Sequence, residues 1–265
     1  MQRRSFITGG IILAGSLVLS SGSQAQVAGI SDAINKAGRQ RMLTQRLAKA
    51  YLQIGQEVEV ELSKKILDQS MSGFDRQLVE LLAYAPQADI RNNLTSMEKT
   101  WLDYKQLLVG KTPNQADAKT VLKLSENLLH MADGVTLQLE KLAGGSTGKL
   151  VNLAGRQRML SQRLAKMYQA AHWHIASPDV PAMMTQARHE FAAAMQTLNA
   201  ASGDSTRLKG ELALAQSQWV FFEAALQAGT DGKSQRQSAS NVATTSERIL
   251  EVMDRITLMY QQLAA

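Results

Sequence analysis

The sequence predicts an all-α fold: two tandem up-down four-helix bundles, eight helices in all, related by a pseudo-twofold axis. Three observations predict it. One helix-length stretch occurs twice, each half of the chain divides into four segments of helical length, and the composition favours helix throughout. Aromatic residues make up only 5% of the chain, and Ala, Leu, Gln, Lys and Glu, which are strong helix formers, dominate.

The repeated stretch is the strongest of these observations. Residues 34–53 recur as residues 151–170, with fourteen of twenty positions identical at an offset of 117. Fainter matches at nearly the same offset are Phe74 with Phe191, Trp101 with Trp219, and Ser125-Glu126 with Ser246-Glu247. Such a pattern indicates that a whole structural unit is duplicated. We therefore expect one four-helix repeat over residues 26–143 and a second over residues 149–265.

Glycine, proline and polar breakers divide each repeat into four segments. In the first repeat we predict helices over 30–57, 60–84, 89–109 and 116–143. In the second we predict helices over 149–176, 181–201, 205–228 and 236–264. Short loops between helices of similar length favour antiparallel neighbours, so four helices return the chain to the end where it began. The linker Gly144–Gly148 can then place the two repeated helices parallel and face to face.

Residues 1–25 have the pattern of a cleaved export signal. A short stretch with Arg3 and Arg4 precedes an apolar run, and Ser23-Gln24-Ala25 puts small residues at the cleavage positions. The paired arginines are typical of a twin-arginine signal, with an ordinary secretory signal as the alternative. No later apolar stretch reaches about 18 residues, so we expect a mature chain without a membrane span, located in the periplasm.

Composition excludes several classes of site. The chain has no cysteine, so disulfides, thiolate metal sites and cysteine nucleophiles are excluded. Removal of Arg3 and Arg4 with the signal lowers the formal charge from +6 to +4. A basic chain raises nucleic acid as a partner, but export and the lack of interleaved basic and aromatic residues argue against it.

The repeated helix places one arginine on a face of small residues. At 100° per residue, the neighbours of Arg41 on that face are Ala37, Gly38, Thr44, Gln45 and Ala48, and those of Arg158 are Ala154, Gly155, Ser161, Gln162 and Ala165. If the two faces meet, guanidinium groups about 5 Å apart repel by roughly 3 kcal/mol at an effective dielectric near 20. No acidic residue lies within 35–49 or 152–166 to relieve this repulsion. A small planar oxyanion between the arginines would relieve it, with Gln45, Gln162, Thr44 and Ser161 completing the site.

The motif Asn-x-Ala-Gly-x-x-Arg-Met-x-x-x-Arg-Leu, present at 35–47 and 152–164, resembles the P-box of the periplasmic sensor domains of the nitrate and nitrite sensor kinases NarX and NarQ. It also resembles the N-terminal domain of PilJ-type, type IV pilus methyl-accepting chemotaxis transducers. The resemblance implies that the motif lies on the first helix of a four-helix bundle. It also implies that the arginine before methionine, here Arg41 and Arg158, binds nitrate at a twofold interface. Gly38 and Gly155 match the glycine that lets the backbone approach the ligand.

The leading hypothesis is a soluble periplasmic protein that binds nitrate, nitrite or a similar small anion between Arg41 and Arg158. A membrane-bound sensor, chemoreceptor or transporter would read the bound state. Unlike the sensor kinases, this chain carries two copies and neither a signalling helix nor a kinase. The resemblance therefore does not imply transmembrane signalling by this chain alone.

Other interpretations stay open at this point. The arginines can instead be solvated or paired with carboxylates from neighbouring helices. A rival function is that of a non-catalytic interaction protein, whose outward-facing arginines dock onto a pilus, chemoreceptor or sensor kinase. A homodimer that pairs Arg41 with its counterpart in a second copy is a third possibility.

We expect no metal site, no cofactor and no enzymatic activity. His172 and His174 flank Trp173, but residues two apart on a helix point to different faces, and no third ligand is evident. No nucleophile elbow or other recognisable catalytic context occurs. Trp101 and Trp219, at equivalent places in the two repeats, are expected to anchor the core.

Overall fold

The structure, a computed structural model, describes residues 26–227 and 235–263. The expected export signal over residues 1–25 lies outside the described residues. The described parts of the chain form eight α-helices and no strand: α1 (Ile30–Gly55), α2 (Val60–Tyr84), α3 (Ala88–Leu108), α4 (Gln115–Ala143), α5 (Thr147–His172), α6 (Val180–Ala200), α7 (Thr206–Gln227) and α8 (Gln235–Leu263). The predicted all-α fold is confirmed.

Each repeat closes into a four-helix bundle. In the first repeat α1 packs against α2 and α4, and α3 packs against α2 and α4. In the second repeat α5 packs against α6 and α8, and α7 packs against α6 and α8. Every helix therefore contacts the helices before and after it, which is the arrangement of an up-down-up-down bundle.

The boundaries of the helices follow from local chemistry. Asn114 precedes α4 with extended backbone, and its side chain accepts a hydrogen bond from the backbone N–H of Asp117 at 3.0 Å. Gly144 and Gly145 both have positive φ, of 65° and 69°, a backbone conformation that glycine adopts without steric cost. These two glycines end α4 and turn the chain directly into α5.

Helices α1 and α5 lie side by side and run in the same direction. Near their first turns, a Cβ added at Gly148 would lie 3.4 Å from the Cδ1 atom of Ile34. Near their last turns, the side chain of Gln56 donates to the backbone carbonyl of Gln169 at 3.2 Å. The repeated helices thus meet in parallel along their whole length, an arrangement that the short linker between the repeats allows.

The two bundles share one continuous apolar core. Trp101 is buried and stacks on Phe74 with ring centroids 4.2 Å apart, and Trp219 stacks on Phe191 at 3.8 Å in the equivalent place. The prediction that both tryptophans anchor the core is confirmed. Within the described residues, none of the helices combines the length and apolar character required to cross a membrane.

Candidate functional site

The two central helices are buried on almost every side although they are rich in polar residues. α1 contacts α2, α4, α5 and α8, and 18 of its 26 residues are buried. Arg41 and its counterpart Arg158 on α5 are both 0% exposed. Charged groups removed from water need compensating partners, so the arrangement around these two arginines requires an explanation.

The two arginines face one another across the junction of the bundles. A Cβ added at Gly38 would lie 3.2 Å from Nη2 of Arg41 and 3.7 Å from Nη2 of Arg158. A Cβ added at Gly155 would lie 3.1 Å from Nη2 of Arg158 and 3.8 Å from Nη2 of Arg41. Both glycines therefore leave the space into which both guanidinium groups extend. The two repeated faces, which the topology allows to come together, therefore meet in this structure.

Each guanidinium group contacts residues from both bundles. Arg41 donates from Nη1 to Asp133 on α4 at 2.6 Å, and from Nη2 to Asn152 Oδ1 on α5 at 2.6 Å. Arg158 repeats the pattern, donating from Nη1 to Asp254 on α8 at 2.8 Å and from Nη2 to Asn35 Oδ1 on α1 at 2.8 Å. The contacts are reciprocal, as a pseudo-twofold axis requires.

The aspartates show which of the alternatives left open by the sequence holds for the arginines. The repeated stretches themselves contain no carboxylate, but the arginines pair with carboxylates from neighbouring helices. Asp133 and Asp254 come from the last helix of each bundle, 92 and 96 residues from their arginines in sequence. Each lies seven residues after a repeated glutamate, Glu126 or Glu247, on the same helix face. That shared spacing was the signal in the sequence that could have identified them.

The other predicted site residues are buried beside the arginines, but their hydrogen bonds go elsewhere. Gln45 and Gln162 donate from Nε2 to the backbone carbonyls of Ser125 and Ser246, which ties each central helix to its own bundle. The hydroxyls of Thr44 and Ser161 donate to the backbone carbonyls of Arg41 and Arg158, at 2.8 and 2.9 Å. The amide side chains that hydrogen-bond to the guanidinium groups are those of Asn35 and Asn152.

One donor on each guanidinium group stays unsatisfied. The Nε atoms of Arg41 and Arg158 are buried and have no hydrogen-bond partner among the described residues. A buried donor without a partner costs about 1–3 kcal/mol. Burial lowers the pKa of Arg41; the charge of Asp133 raises it again only in part, and Arg156 and Arg158 lower it further. The arginines are therefore only partly compensated.

The two aspartates also connect the arginines to solvent. The side chains of Asp133 and Asp254 are 27% and 23% exposed, whereas those of their buried arginine partners are 0% and 1% exposed. Asp254 also pairs with Arg39 of the other bundle at 3.1 Å, and Asp133 lies 3.7 Å from Arg156. Each buried arginine is therefore paired with an aspartate that is itself in partial contact with solvent.

A second pair of buried ion clusters holds the bundles together one to two turns further along. Lys49 and Arg46 on α1 both contact Glu247 on α8, each at 2.5 Å. Burial raises the pKa of Glu247, but the charges of Lys49 and Arg46 overcome this effect and lower it to about 2. In the symmetric position, Lys166 and Arg163 on α5 pair with Glu126 on α4.

The charged groups of the site are paired with one another. Each arginine presents charged donors to a planar acceptor, and no group of three or more metal-ligating side chains lies close together among the described residues. His172 contacts the side-chain oxygen of Gln56 through Nδ1 at 2.5 Å.

Comparison with known protein families identifies the repeats. The family model described as "Type IV pili methyl-accepting chemotaxis transducer N-term" (PilJ) matches residues 24–126 and again residues 144–245. Neither a curated protein nor a solved structure matches the chain. The two matches cover most of the sequence, and each spans the first three helices of one bundle and the beginning of the fourth. The chain therefore belongs to the family of type IV pili methyl-accepting chemotaxis transducer N-terminal domains, and contains that domain twice in tandem.

Proposed function

We propose that this protein is a soluble periplasmic sensor or ligand-binding protein that holds nitrate, nitrite or a similar small anion between Arg41 and Arg158. The observation that carries the proposal is the pair of buried guanidinium groups that face each other across the two bundles, each with an unsatisfied Nε donor. The resemblance of both motifs to the nitrate-binding P-box supports the choice of anion. Residues 1–25 would direct export.

The aspartates give this proposal a mechanism of exchange. A carboxylate and a nitrate ion are both planar and both present oxygen acceptors to an arginine fork. Asp133 and Asp254 would occupy the arginines in the absence of ligand, and the anion would displace one or both of them. The displaced carboxylates lie at partly exposed positions, where water can solvate them.

Displacement would move helices that lie at the flanks of the site. Asp133 is on α4 and Asp254 is on α8, and these helices contact α5 and α1 of the opposite bundle. Loss of the aspartate contacts would release α4 and α8 relative to the central helices. A membrane-bound sensor, chemoreceptor or transporter partner could distinguish the two arrangements, since a ligand shifts an equilibrium when it binds one state better.

The rival proposal is docking of this protein onto a chemotaxis or pilus signalling partner without an anion. Docking through the arginine faces is unfavourable because Arg41 and Arg158 are buried within the chain. A docking surface would instead use exposed apolar side chains. Val220 and Phe221 on α7, which are 59% and 63% exposed, are adjacent candidates.

Thermal unfolding of the mature chain in sodium nitrate, compared with sodium chloride at equal ionic strength, tests the proposal. An anion at a hundredfold its dissociation constant stabilises the folded state by about 2.7 kcal/mol. For a chain of this size that corresponds to a rise in Tm of roughly 5–10 °C. We expect this rise for the wild-type chain and its absence in Arg41→Gln/Arg158→Gln.

The matched control is Arg39→Gln/Arg156→Gln. It removes the same charge from the same two helices, and from side chains that contact the same two aspartates. We expect the control to keep the nitrate-dependent rise. No rise in the wild-type chain, or an equal rise in both double variants, would show that the anion does not bind between Arg41 and Arg158.

A further inference from the structure

A groove of about 390 Å³ lies at the junction of the two bundles, away from the arginine site. Its walls come from the beginning of α4 in the first repeat, and from the end of α5, the following loop and the beginning of α6 in the second. Apolar side chains line most of it: Leu122, Met167, Ala170, Ile175, Val180 and Met183. Its size and apolar lining are those of a site for a small organic molecule.

The groove breaks the symmetry of the molecule. The equivalent place on the other side lies between α8 and the loop from α1 to α2. There Val58 is only 1% exposed and packs against Ala239 and Ala243, which fills the space. The loop from α1 to α2 spans only residues 56–59, whereas the loop from α5 to α6 is longer and spans residues 173–179. The duplication has therefore kept an open groove on one side.

The charges at the groove are asymmetric as well. Lys119 and Lys123 are exposed, lie one turn apart on α4, and line the groove. Neither has an ion-pair partner among the described residues, and the nearby Glu126 is already paired with Arg163 and Lys166. At the equivalent positions α8 carries the uncharged Ser240 and Thr244. The open groove alone thus has a positively charged rim.

We propose that this groove binds a small amphipathic carboxylate. Its hydrocarbon body would lie against the apolar walls, and its carboxylate would contact Lys119 and Lys123. The flexible side chains of Met167 and Met183 allow the walls to adapt to hydrocarbon bodies of different shape. Because the walls belong to both repeats, the bound molecule would bridge the bundles. This site uses neither Arg41 nor Arg158 and does not depend on the proposed anion site.

Isothermal titration calorimetry of the mature chain with decanoate tests this proposal, with decan-1-ol as the uncharged probe of equal chain length. We expect Lys119→Gln/Lys123→Gln to weaken decanoate binding about tenfold, since two exposed ion contacts are lost, and to leave decan-1-ol binding unchanged. The control Lys99→Gln/Lys209→Gln removes the same charge from exposed positions elsewhere, and should bind both probes as the wild-type chain does.

A second variant, Ala176→Trp, places a large side chain at a half-buried position in the wall. We expect it to abolish binding of both probes while the response to sodium nitrate is kept. The proposal is overturned if the wild-type chain does not bind decanoate, if Ala176→Trp binds it equally well, or if the paired lysine variant and its control have the same affinity.

Discussion

Arg41 on α1 donates a hydrogen bond to the side-chain carbonyl of Asn152 on α5 at 2.6 Å, and so completes its shell with a residue of the other repeat. Arg158 does the same with Asn35 at 2.8 Å. Neither bundle alone contains a complete arginine site. Joining both repeats in one chain guarantees that the two halves meet at every protein concentration, which separate subunits cannot do.

Replacement of the aspartates tests whether they compete with the anion. In Asp133→Asn/Asp254→Asn each buried arginine loses its counter-charge, so we expect the unfolding free energy in chloride to fall by a few kcal/mol. The more positive site, which has lost the competing carboxylates, should bind nitrate at least tenfold more tightly, as measured by calorimetry. Nitrate binding that is equal or weaker in this variant would contradict the exchange mechanism.

Replacing the glycines beside the arginines tests whether nitrate binding depends on the space that they leave for the guanidinium groups. In Gly38→Ala/Gly155→Ala the new methyl groups would lie 3.2 and 3.1 Å from Nη2 atoms, so the guanidinium groups must shift by a few tenths of an ångström. We expect nitrate affinity to fall several-fold. Gly134→Ala/Gly210→Ala is the control, because both positions are helical and have open space. The control should raise stability by about 1 kcal/mol per site and leave nitrate affinity unchanged.

Glu247 gives the fold a defined response to acid. Its pKa is about 2 in the folded state, against 4.5 for an unperturbed glutamate, because Lys49 and Arg46 outweigh the effect of burial. A carboxyl group whose pKa is lower in the folded than in the unfolded chain stabilises the fold at every pH above its unfolded-state pKa. For Glu247 this contribution is about 3 kcal/mol, and it is lost as the pH falls from about 5 to about 2.

We therefore expect Glu247→Gln to have a lower free energy of unfolding than the wild-type chain at pH 7. This difference in unfolding free energy should become smaller as the pH approaches 2. Urea unfolding between pH 2 and pH 7 measures both effects. The control Glu61→Gln removes the exposed ion pair with Lys64. It should neither lower the unfolding free energy at pH 7 nor change how that free energy depends on pH. If the unfolding free energies of Glu247→Gln and the wild-type chain differ by the same amount over this whole pH range, the lowered pKa of Glu247 is disproved.

Gly55 tests the packing between the ends of the central helices. A Cβ added there would lie 2.3 Å from the ring of Trp173, which belongs to the other bundle. We expect Gly55→Ala to lower the unfolding free energy by about 1–3 kcal/mol, because the ring must move. Gly73→Ala, where the nearest atom is 3.7 Å away, is the control and should not destabilise the chain in thermal melts.

The helices could be predicted from the sequence because breakers and helix-forming stretches alternate clearly. The largest difference lies at the end of α5, predicted at residue 176 and observed at His172. There His174 takes a positive φ of 58° and turns the chain before Pro178 is reached. A histidine in this conformation carries no sequence signal of its own, whereas the glycines that end α4 do.

The arginine pair could also be predicted, because the repeat places Arg41 and Arg158 on equivalent faces and the topology brings those faces together. The partners of the arginines could not be predicted in the same way. Asp133 and Asp254 reach them through the relative rotation of α4 against α1 and of α8 against α5, which side-chain packing determines. The pattern of apolar residues within one helix gives no information on how that helix is rotated against its neighbour.

A crystal structure of the mature chain grown in sodium nitrate tests the central claim most directly. The account predicts planar electron density within hydrogen-bond distance of both Arg41 and Arg158, with Asp133 or Asp254 turned away from its arginine. The account is contradicted if both aspartates stay paired with their arginines and no anion lies between the guanidinium groups.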